Sequence, residues 1–442
     1  MVSKFKASNF RSILDLELNL LYTEGKAPNG WQNSDVWPFL SVTGHMSDRV
    51  VPILALYGAN ASGKTNIIRA LASLFGVIRH GIEGRYHPNR LNPKYSSTTF
   101  ELEVIKKDSR FCYRLEYDGV SIRKERLQIF AEGAWQTVFA VGEKFSVEAI
   151  ATENYPVDKL KDFFRVECTS AAGVQVRSWF DCLGRKYEAL SRNVSDAYQA
   201  CMNSVSVYLT NDIDFVRSID RLALEMNATR EEAEDRVSQF LKKFDIGIEG
   251  IAVDSQELSS DELAQLFEKR ALPRGSVNRR EGKFYLEVID FKHRDVGGNL
   301  VPMAYRSDES EGTRLLSGIV ATCLVALDCG GTVFFDELDR SLHPLLLIEL
   351  VKLFKPKRYN PHGAQLVFTA HDPSLMEDVL LRLGEIGVVN NGLAAGTTLR
   401  RLVDLKRRGG AWRSGTSTIL ESCTWTDFSQ AFHILFFDVK DA

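Results

Sequence analysis

The segment Gly58–Thr65 reads Gly-Ala-Asn-Ala-Ser-Gly-Lys-Thr and matches the phosphate-binding loop pattern G-x-x-x-x-G-K-[ST]. An apolar run over 51–57 precedes it, and apolar residues recur at helical spacing over 67–75 behind it. This setting suits the motif, because the glycines let backbone N–H groups converge on phosphate oxygens at a helix N-terminus. Lys64 can reach the β- and γ-phosphates, and the Thr65 hydroxyl can ligate Mg²⁺. The alternative is a Gly/Ser-rich turn with a chance lysine, and the flanking strand and helix argue against it.

Bulk composition sets outer limits on function. The chain has 442 residues, 44% of them hydrophobic and 26% charged, with a net charge of −3. This length predicts roughly two to three domains, and the near-neutral charge argues against a polycation that coats nucleic acid, while leaving room for a local basic patch. The apolar stretches look too short or too interrupted to span a bilayer, so we expect no membrane partner. The seven cysteines form no C-x-x-C pair, which disfavours a disulfide framework or a zinc ribbon and predicts a cytoplasmic protein.

Residues 1–155 are predicted to form an N-terminal lobe that contains the phosphate-binding loop. Loose alternation over 5–18 predicts one or two strands, and clear alternation over 98–104 and 111–117 predicts two antiparallel strands. The run over 120–130 continues that sheet. The lobe should therefore include an antiparallel β-subdomain.

The rest of the chain is predicted to be helical at first and then alternating. Residues 156–250 form a helical insert, in which Thr229 and Glu232 make a capping box ahead of an apolar stripe. Residues 251–380 alternate buried strands with helices, which is the pattern of an α/β lobe. Residues 381–442 form a C-terminal region whose basic residues are either a solvated charge run, the favoured interpretation, or a partner or nucleic-acid surface.

Two strands in the second lobe end in residues that can do chemistry. The apolar run 332–335 leads to Asp336 and Glu337, and the run 365–370 leads to His371. A buried strand places its terminal acid beside the phosphate-binding loop of the same sheet, so Asp336 is expected to hold Mg²⁺ and Glu337 to polarise the attacking water. His371 is expected to hydrogen-bond the γ-phosphate or that water. The alternatives are an acidic turn for the two carboxylates and a helix cap for the histidine.

A further anion site is indicated at Ser310 and Gly312, which precede the apolar helix predicted over 313–327. Ser and Gly at a helix N-terminus expose backbone N–H groups to a bound anion. A single phosphate-binding loop needs no second such site, whereas a nucleotide held between two subunits does. Taken alone, an ordinary helix N-cap with acidic first-turn residues is the favoured interpretation of this segment.

Together, these motifs resemble those of ABC-type ATPases. The phosphate-binding loop, the Ser-Glu-Gly-Thr helix start, the Phe-Phe-Asp-Glu-Leu-Asp-Arg-Ser-Leu-His-Pro segment and Thr-Ala-His-Asp occur in the order used by that class. These residues, with Asn-Phe-Arg-Ser at 9–12, look like the soluble SMC/RecF/OLD-like branch. The closest likeness is to the AAA-type, ABC-like ATPases of prokaryotic antiphage defence systems of the PARIS, Septu and retron kinds. The resemblance covers about residues 1–130 and 285–380.

The resemblance implies an α/β fold, an ABC-type ATPase head with a mixed sheet flanked by helices, and it implies ATP and Mg²⁺ as ligands. It assigns catalytic roles to Glu337, His371 and Lys64, and it places Mg²⁺ at Thr65 and Asp336. The nucleotide-binding residues that it implies are Gly58, Asn60, Ala61, Ser62, Gly63, Lys64, Thr65, Asn66, Ser310, Gly312 and Asp339.

The resemblance also implies an assembly. Ser310 and Gly312 would contact the γ-phosphate of ATP bound to the other subunit, and Asp339 would couple the two sites, so we expect a homodimer or a higher homo-oligomer. The chain shows no nuclease centre of its own, so a separate effector of the TOPRIM or HNH nuclease type is implied, with a viral protein or DNA as the trigger. One feature departs from the pattern: no glutamine occurs between Lys64 and Gln128, so the residue that senses Mg²⁺ and water stays unassigned.

Two other functions compete with this one. A RecF/SMC-like DNA-repair ATPase would bind duplex DNA directly and show DNA-stimulated hydrolysis that falls steeply with salt. The near-neutral composition and the lack of a long heptad run weigh against it. A small-molecule kinase would leave Ser310, Gly312 and His371 without a role and ranks last.

Overall fold

The computed structural model describes residues 1–22, 34–37, 39–41, 49–91, 95–106, 109–142, 147–150, 162, 165–186, 192–209, 213–244, 247–268, 275–280, 282–340, 342–371, 381–392 and 394–407. The chain divides into two compact units. The first unit comprises Met1–Thr210, Gly330–Arg340 and Val351–Ala442, and the second comprises Asn211–Cys329 and Ser341–Leu350.

Strands dominate the first unit, and helices are shared between both units. The strands are β1 (Val2–Phe10), β2 (Ile13–Asn19), β3 (Ile53–Tyr57), β4 (Thr98–Lys106), β5 (Ser109–Tyr117), β6 (Ile122–Ala131), β7 (Ala134–Val141), β8 (Val147–Ile150), β9 (Val205–Tyr208), β10 (Gly250–Leu258), β11 (Gly275–Arg280), β12 (Lys283–Arg294), β13 (Leu300–Ala304), β14 (Thr332–Phe335), β15 (Gln365–Thr369), β16 (Ile386–Gly392) and β17 (Gly396–Arg401). The α-helices are α1 (Lys64–His80), α2 (Trp179–Lys186), α3 (Arg192–Tyr198), α4 (Phe215–Met226), α5 (Arg230–Lys242), α6 (Ser260–Glu268), α7 (Glu311–Cys329), α8 (Pro344–Lys352) and α9 (Leu402–Arg407).

The first unit is built on one mixed sheet. Over the described residues this sheet has 13 strands in the order β8-β7-β6-β5-β4-β1-β2-β17-β16-β3-β15-β14-β9. From β16 to β9 the neighbouring strands run parallel. β3, β14 and β15 are buried along their whole length, as is typical of parallel strands covered on both faces. Because the carboxyl ends of parallel strands meet at one edge, the residues that follow these three strands come together there.

The other half of the sheet is antiparallel, from β8 across to β2. The predicted pairing of 98–104 with 111–117 is confirmed, since Phe100 lies opposite Leu115. The run over 120–130 forms β6 and continues the sheet, also as predicted. The predicted α/β class, with a mixed sheet and an antiparallel β-subdomain, is therefore confirmed.

Helix α1 follows the phosphate-binding loop and packs on the core of the first unit. Its apolar residues Ile67, Ile68, Leu71 and Phe75 are all buried, which confirms the helical face predicted from their spacing. The helix ends where Gly81 takes a positive φ of 81° and donates its N–H to the carbonyl of Val77. The helix therefore begins at the loop lysine and ends inside the same unit.

The second unit combines a four-stranded sheet with helices α4, α5, α6 and α7. Strand β12 lies at the centre, pairing with β10 over most of its length and with β11 and β13 at its two ends. The predicted capping box is present at the start of α5, where Thr229 and Glu232 exchange both hydrogen bonds. Arg236 on α5 forms an ion pair with Asp328 on α7, with 2.6 Å between Nη2 and Oδ1.

Two regions that were predicted as separate segments contribute strands to the main sheet. The helical region 156–250 contributes to both units, and it contains the strand β9, which pairs in parallel with β14 at the edge of the main sheet. The C-terminal region 381–442 supplies β16 and β17, and β16 lies directly beside β3. Of the basic residues of that region, Lys406 and Arg407 belong to α9, whereas Arg408 and Arg413 lie outside the described residues.

Helix α7 bears on the expectation that the apolar stretches are too short or too interrupted to span a bilayer. Among the described helices it is the one that is long and apolar enough to cross a bilayer, judged by length and composition. However, 67% of its most apolar window is buried inside the protein, and a core helix passes the same test. The structure therefore gives only weak grounds for a membrane span.

Candidate functional site

The phosphate-binding loop joins β3 to α1 through residues with left-handed backbone. Ala61 has a φ of 64° and Gly63 a φ of 101°, a region that favours glycine. A side chain at Gly63 would collide with the Thr397 side chain, and one at Gly58 would collide with the carbonyl oxygen of Val389. The glycines therefore let the loop lie directly against β16 and β17.

Lys64 is almost fully buried at the start of α1, with 5% of its surface exposed. Its ammonium group donates hydrogen bonds to the carbonyl oxygens of Gly58, at 2.5 Å, and Ala59, at 3.2 Å. Burial lowers the pKa of Lys64, while the carboxylates of Asp339 and Asp336 oppose that shift. The loop thus surrounds a desolvated cation whose present partners are neutral carbonyls.

A cavity of about 280 Å³ lies over this loop. It is lined by Ser12, Ala59, Asn60, Ala61, Ser62, Gly63, Lys64, Thr65, Asn66, Glu337 and His371. The Ser62 hydroxyl oxygen is buried and has no hydrogen-bond partner among the described residues. A buried cation and an unsatisfied hydroxyl at a helix N-terminus fit a phosphate group.

Asp336 follows β14 and lies beside the first turn of α1. Its Oδ1 accepts hydrogen bonds from the hydroxyl of Thr65 on α1, at 3.2 Å, and from that of Thr369 on β15, at 2.7 Å. Burial raises the pKa of Asp336, and the two hydroxyl donors partly offset that increase. A desolvated carboxylate next to a hydroxyl oxygen is a donor set that suits a hard divalent cation such as Mg²⁺.

Glu337 has a strained backbone, with a φ of 49° in the left-handed region. Its N–H donates to the Thr369 hydroxyl at 2.7 Å, so one threonine holds both acidic residues. Its carboxylate pairs with Arg340, with 2.9 Å between Oε2 and Nη1. Glu337 lines the cavity over the loop.

His371 follows β15 and lines the same cavity. Its backbone N–H donates to Oδ2 of Asp339 at 2.5 Å, so the Asp339 carboxylate fixes the backbone of the histidine. Asp372 lies outside the described residues. The structure thus brings together five predicted site residues at one edge of the sheet: Lys64, Thr65, Asp336, Glu337 and His371.

A second series of hydrogen bonds connects the start of α1 to strand β17. The Asn66 amide donates to the Ser12 hydroxyl at 2.6 Å, and that hydroxyl is 2.6 Å from the hydroxyl of Thr397 on β17. Sequence reasoning did not assign roles to Ser12, Thr397 or Thr369. Ser12 lay in a segment noted for its family likeness, whereas the two threonines have no local signal, because only strand pairing places them at the site.

Ser310 and Gly312 belong to the second unit, at the start of α7. The Ser310 hydroxyl accepts a hydrogen bond from the backbone N–H of Thr313 at 3.1 Å. This is the bond that an N-cap residue makes, so the helix-cap interpretation of Ser310 is correct. The role of these residues toward a second subunit stays a prediction.

The sequence falls within a known protein family. The model of the family described as "AAA domain, putative AbiEii toxin, Type IV TA system" matches residues 53–138 and 208–377, which is more than half of the chain. The chain belongs to this family. The matched ranges of this AAA-family chain include Lys64, Asp336 and His371. The expectation of an AAA-type protein is thereby confirmed at the level of the family.

The AAA-family chain is also similar to solved structures. One is the SMC head domain from Thermotoga maritima, at 13% identity and a TM-score of 0.33, covering 90% of this chain and 98% of that chain. Another is the Smc head domain with an extended coiled coil bound to the C-terminal domain of ScpA from Pyrococcus furiosus, at 10% identity and a TM-score of 0.41, covering 92% and 98%. TM-scores this low add no support to the assignment of fold or function. No curated protein matches the sequence.

Proposed function

We propose that the protein binds and hydrolyses ATP, that two copies close around the nucleotide, and that this cycle controls a separate effector protein. The main support is the hydrogen-bonded cluster of Thr65, Asp336 and Thr369, which joins the carboxyl ends of β14 and β15 to the helix that follows the phosphate-binding loop. Membership in an AAA family supports the same conclusion.

In the proposed reaction, each residue at the edge of the sheet has one task. Lys64 exchanges its loop carbonyl partners for oxygens of the β- and γ-phosphates, which are stronger acceptors because they are charged. Thr65 and Asp336 provide the oxygen ligands for Mg²⁺, which when bound neutralises charge on the phosphates. Glu337 accepts a proton from the attacking water, and the His371 imidazole hydrogen-bonds the γ-phosphate.

The arrangement of Glu337 supports its role as the base. The Thr369 hydroxyl fixes the backbone of Glu337 and also binds the carboxylate of Asp336, the proposed metal ligand. The Glu337 side chain therefore starts from a fixed backbone position next to Asp336. Arg340 is 67% exposed at its side chain, so its ion pair with Glu337 can open when nucleotide and water enter. A carboxylate fixed in this way needs little reorganisation to meet the water.

Pairing of two copies completes the proposed site. Ser310 and Gly312 of one copy would contact the γ-phosphate held by the other copy, and Asp339 would couple the two pockets. The start of α7 offers a helix N-terminus for this purpose, with Ser310 as its exposed cap residue. The second unit would therefore supply the trans half of the pocket.

The proposed biological role is antiphage defence through a nuclease or toxin encoded separately. The family description, which names a toxin and a toxin–antitoxin system, supports this direction. We assign trigger sensing to the region 156–250 and partner contact to the region 381–442. Sequencing the neighbouring genes tests the role: an adjacent nuclease gene supports defence, whereas a replication or repair cluster would point to the RecF/SMC-like alternative.

Substitution of Glu337 by Gln tests the catalytic proposal. The Glu337→Gln protein should bind ATP and Mg²⁺ normally, lose hydrolysis by about 10²- to 10⁴-fold, and accumulate as a pair of copies in light scattering with ATP. The matched control is Glu17→Gln on β2, which makes the same chemical change on the exposed surface and should leave turnover unchanged. Wild-type turnover in Glu337→Gln would refute the assignment of the base.

Substitution of Ser310 by Arg tests the pairing. Ser310→Arg should stop hydrolysis and spare ATP binding, whereas Ser310→Ala, which removes only the cap, should lose about 1 kcal/mol of stability. A mixture of Ser310→Arg and Lys64→Met copies should recover turnover, because one pocket of each mixed pair keeps both an intact lysine and an intact serine. No recovery in the mixture, or full activity of Ser310→Arg alone, would contradict the trans role.

A further inference from the structure

Two cysteines of the first unit lie side by side away from the phosphate-binding loop. Cys168 precedes a short turn, and Cys182 lies on the first turns of α2. Their sulfur atoms are 3.1 Å apart, and both residues are free thiols. Since a disulfide has an S–S distance of about 2.05 Å, the two sulfurs need to approach by only about 1 Å to bond.

The backbone on both sides of this pair is fixed. The carbonyl oxygen of Cys168 accepts hydrogen bonds from the N–H groups of Val176 at 2.9 Å and Arg177 at 3.2 Å. The start of α2 is anchored by the buried carboxylate of Glu125, which accepts from the N–H groups of Trp179 at 2.9 Å and Phe180 at 2.8 Å. The closeness of the two sulfurs is therefore built into the local fold.

Only one of the two sulfurs is open to a small molecule. Cys168 is fully buried, whereas Cys182 is half-buried and lines a cavity of about 330 Å³. Arg79, Arg177 and Arg185 line the same cavity, together with Glu167 and Asp181, and each arginine side chain carries several N–H donors for oxygen atoms. A cavity with one accessible thiol, a second thiol behind it and polar donors around it suits a small oxygen-rich reactant.

We propose that Cys168 and Cys182 form a peroxide-reactive dithiol, in which Cys182 attacks a hydroperoxide and Cys168 resolves the product into a disulfide. This site is independent of the proposed ATPase activity. Redox-sensing cysteines generally combine an accessible thiolate with a neighbouring resolving cysteine, and this pair has both features.

The chemistry balances with a hydroperoxide as the oxidant. The Cys182 thiolate attacks the terminal oxygen of the hydroperoxide, the O–O bond breaks, and the leaving alkoxide or hydroxide takes up the proton that Cys182 released. The product is Cys182 sulfenic acid. The Cys168 sulfur then displaces the sulfenic oxygen as water and forms the S–S bond. In total, two thiols lose two electrons and two protons, and the peroxide becomes an alcohol or water plus one further water.

The ionisation of the pair supports this division of roles. The two sulfurs share a hydrogen bond in which either can be the donor, and in the proposed reaction the Cys168 S–H donates to Cys182. This bond lowers the pKa of Cys182, although burial and the nearby carboxylates of Glu125, Asp181 and Glu167 oppose that shift. The same bond, together with burial, raises the pKa of Cys168. These directions agree with the geometry, in which Cys182 lines the cavity and Cys168 is buried behind it, so the proposal assigns the nucleophilic thiolate to Cys182.

Three of the other described cysteines are buried and provide internal controls, whereas Cys329 is half-buried. Cys112 and Cys201 are buried in the same unit, and burial raises the pKa of each to about 12. Cys323 is fully buried in α7, and burial raises its pKa as well. Neutral, buried thiols react slowly with peroxide, so oxidation should be selective for the pair.

The test treats the reduced full-length protein with a small excess of hydrogen peroxide, followed by alkylation in denaturant and peptide mapping. Of the seven cysteines, two should be lost as a Cys168–Cys182 disulfide while five remain alkylated, and dithiothreitol should restore all seven. Cys168→Ala and Cys168→Ser should both stop at the sulfenic acid, trapped on Cys182 by dimedone. Cys182→Ser should lose the reaction, and Cys201→Ser should react like the wild type.

Three results would overturn the proposal. One is full alkylation of Cys168 and Cys182 after peroxide treatment of the folded protein. Another is unchanged peroxide consumption by Cys182→Ser. The third is a dimedone adduct distributed over the buried cysteines rather than confined to Cys182. Circular dichroism of each variant separates a chemical effect from a loss of folding.

Discussion

Thr369 is the residue whose replacement tests the structure of the site most directly. Its hydroxyl is fully buried at the end of β15, donates to the Asp336 carboxylate at 2.7 Å and accepts the N–H of Glu337 at 2.7 Å. Thr369→Val keeps the shape of the side chain and removes both bonds. The control is Thr369→Ser, which keeps the hydroxyl and loses only a methyl group.

The two lost bonds set the expected magnitude. A hydrogen bond to a charged group contributes about 1.5–3 kcal/mol and a neutral one about 1 kcal/mol, so Thr369→Val should lower the free energy of unfolding by about 2.5–4 kcal/mol. For a unit of about 300 residues with an unfolding entropy of about 2.1 cal/mol/K per residue, this corresponds to a decrease in Tm of about 4–6 °C. Thr369→Ser should lose about 1 kcal/mol, the value for one buried methylene-sized group.

The loss should depend on pH with a definite sign. Burial raises the pKa of Asp336, and the Thr369 hydroxyl opposes this, so Thr369→Val should raise that pKa further. A carboxyl group with a raised pKa in the folded state contributes most to stability below its unfolded pKa, and that contribution is lost as pH rises through the folded pKa. The difference between Thr369→Val and wild type should therefore be smallest at acidic pH, grow as pH rises through the folded pKa of Asp336 in the two proteins, and stay constant above it.

Urea denaturation of the three proteins at two pH values measures these differences. The reasoning would be refuted if Thr369→Val were as stable as Thr369→Ser, because the hydroxyl would then make no net contribution. It would equally be refuted if the loss in Thr369→Val were the same at both pH values, since the bond to the ionised carboxylate is the one that carries the pH dependence.

Three further substitutions give distinct outcomes. Lys64→Met should abolish ATP binding in calorimetry and leave the unfolding free energy of the nucleotide-free protein unchanged or higher, because a desolvated charge is removed; loss of folding would contradict this. Asp336→Asn should stabilise the protein without nucleotide at neutral pH, where the buried carboxylate is penalised, and should remove the Mg²⁺-dependent gain in Tm; a persistent Mg²⁺ effect would place the ion elsewhere. Glu125→Gln should lower the unfolding free energy by about 3 kcal/mol or more, because five donors, including the hydroxyl of Tyr113, converge on the carboxylate; an unchanged urea midpoint would refute this.

The sequence predicted the elements of the site well because their signals are local. The phosphate-binding loop is defined by spacing within Gly58–Thr65, and the buried runs before Asp336 and His371 have the length and composition of parallel strands. Alternation in 98–104 and 111–117 was sufficient to predict an antiparallel pair. In each case, one short window contains the whole pattern.

The parts that the sequence did not reveal depend on contacts between distant residues. Strand β9 is only four residues long inside a helical stretch, and it is stabilised by pairing with β14 rather than by its own pattern. Thr369 and Thr397 resemble any strand threonine until the sheet order brings them to the loop. The separation of 14 positions between Cys168 and Cys182 likewise gives no hint that their sulfurs meet.

The state of Lys64 explains how such a site can be ready for its ligand before the ligand arrives. The fold has already removed the ammonium group from water and given it two neutral carbonyl partners, at Gly58 and Ala59. Phosphate oxygens are better acceptors for that cation than carbonyl oxygens, so binding exchanges weak partners for strong ones without a new desolvation cost for the lysine. Asp336 is likewise desolvated, because burial raises its pKa and the neighbouring Glu337 carboxylate adds to that increase. ATP would supply acceptors for the lysine, and Mg²⁺ would supply a cation for the aspartate. The binding free energy of ATP and Mg²⁺ together should therefore be more favourable than the sum of the binding free energies measured for each alone.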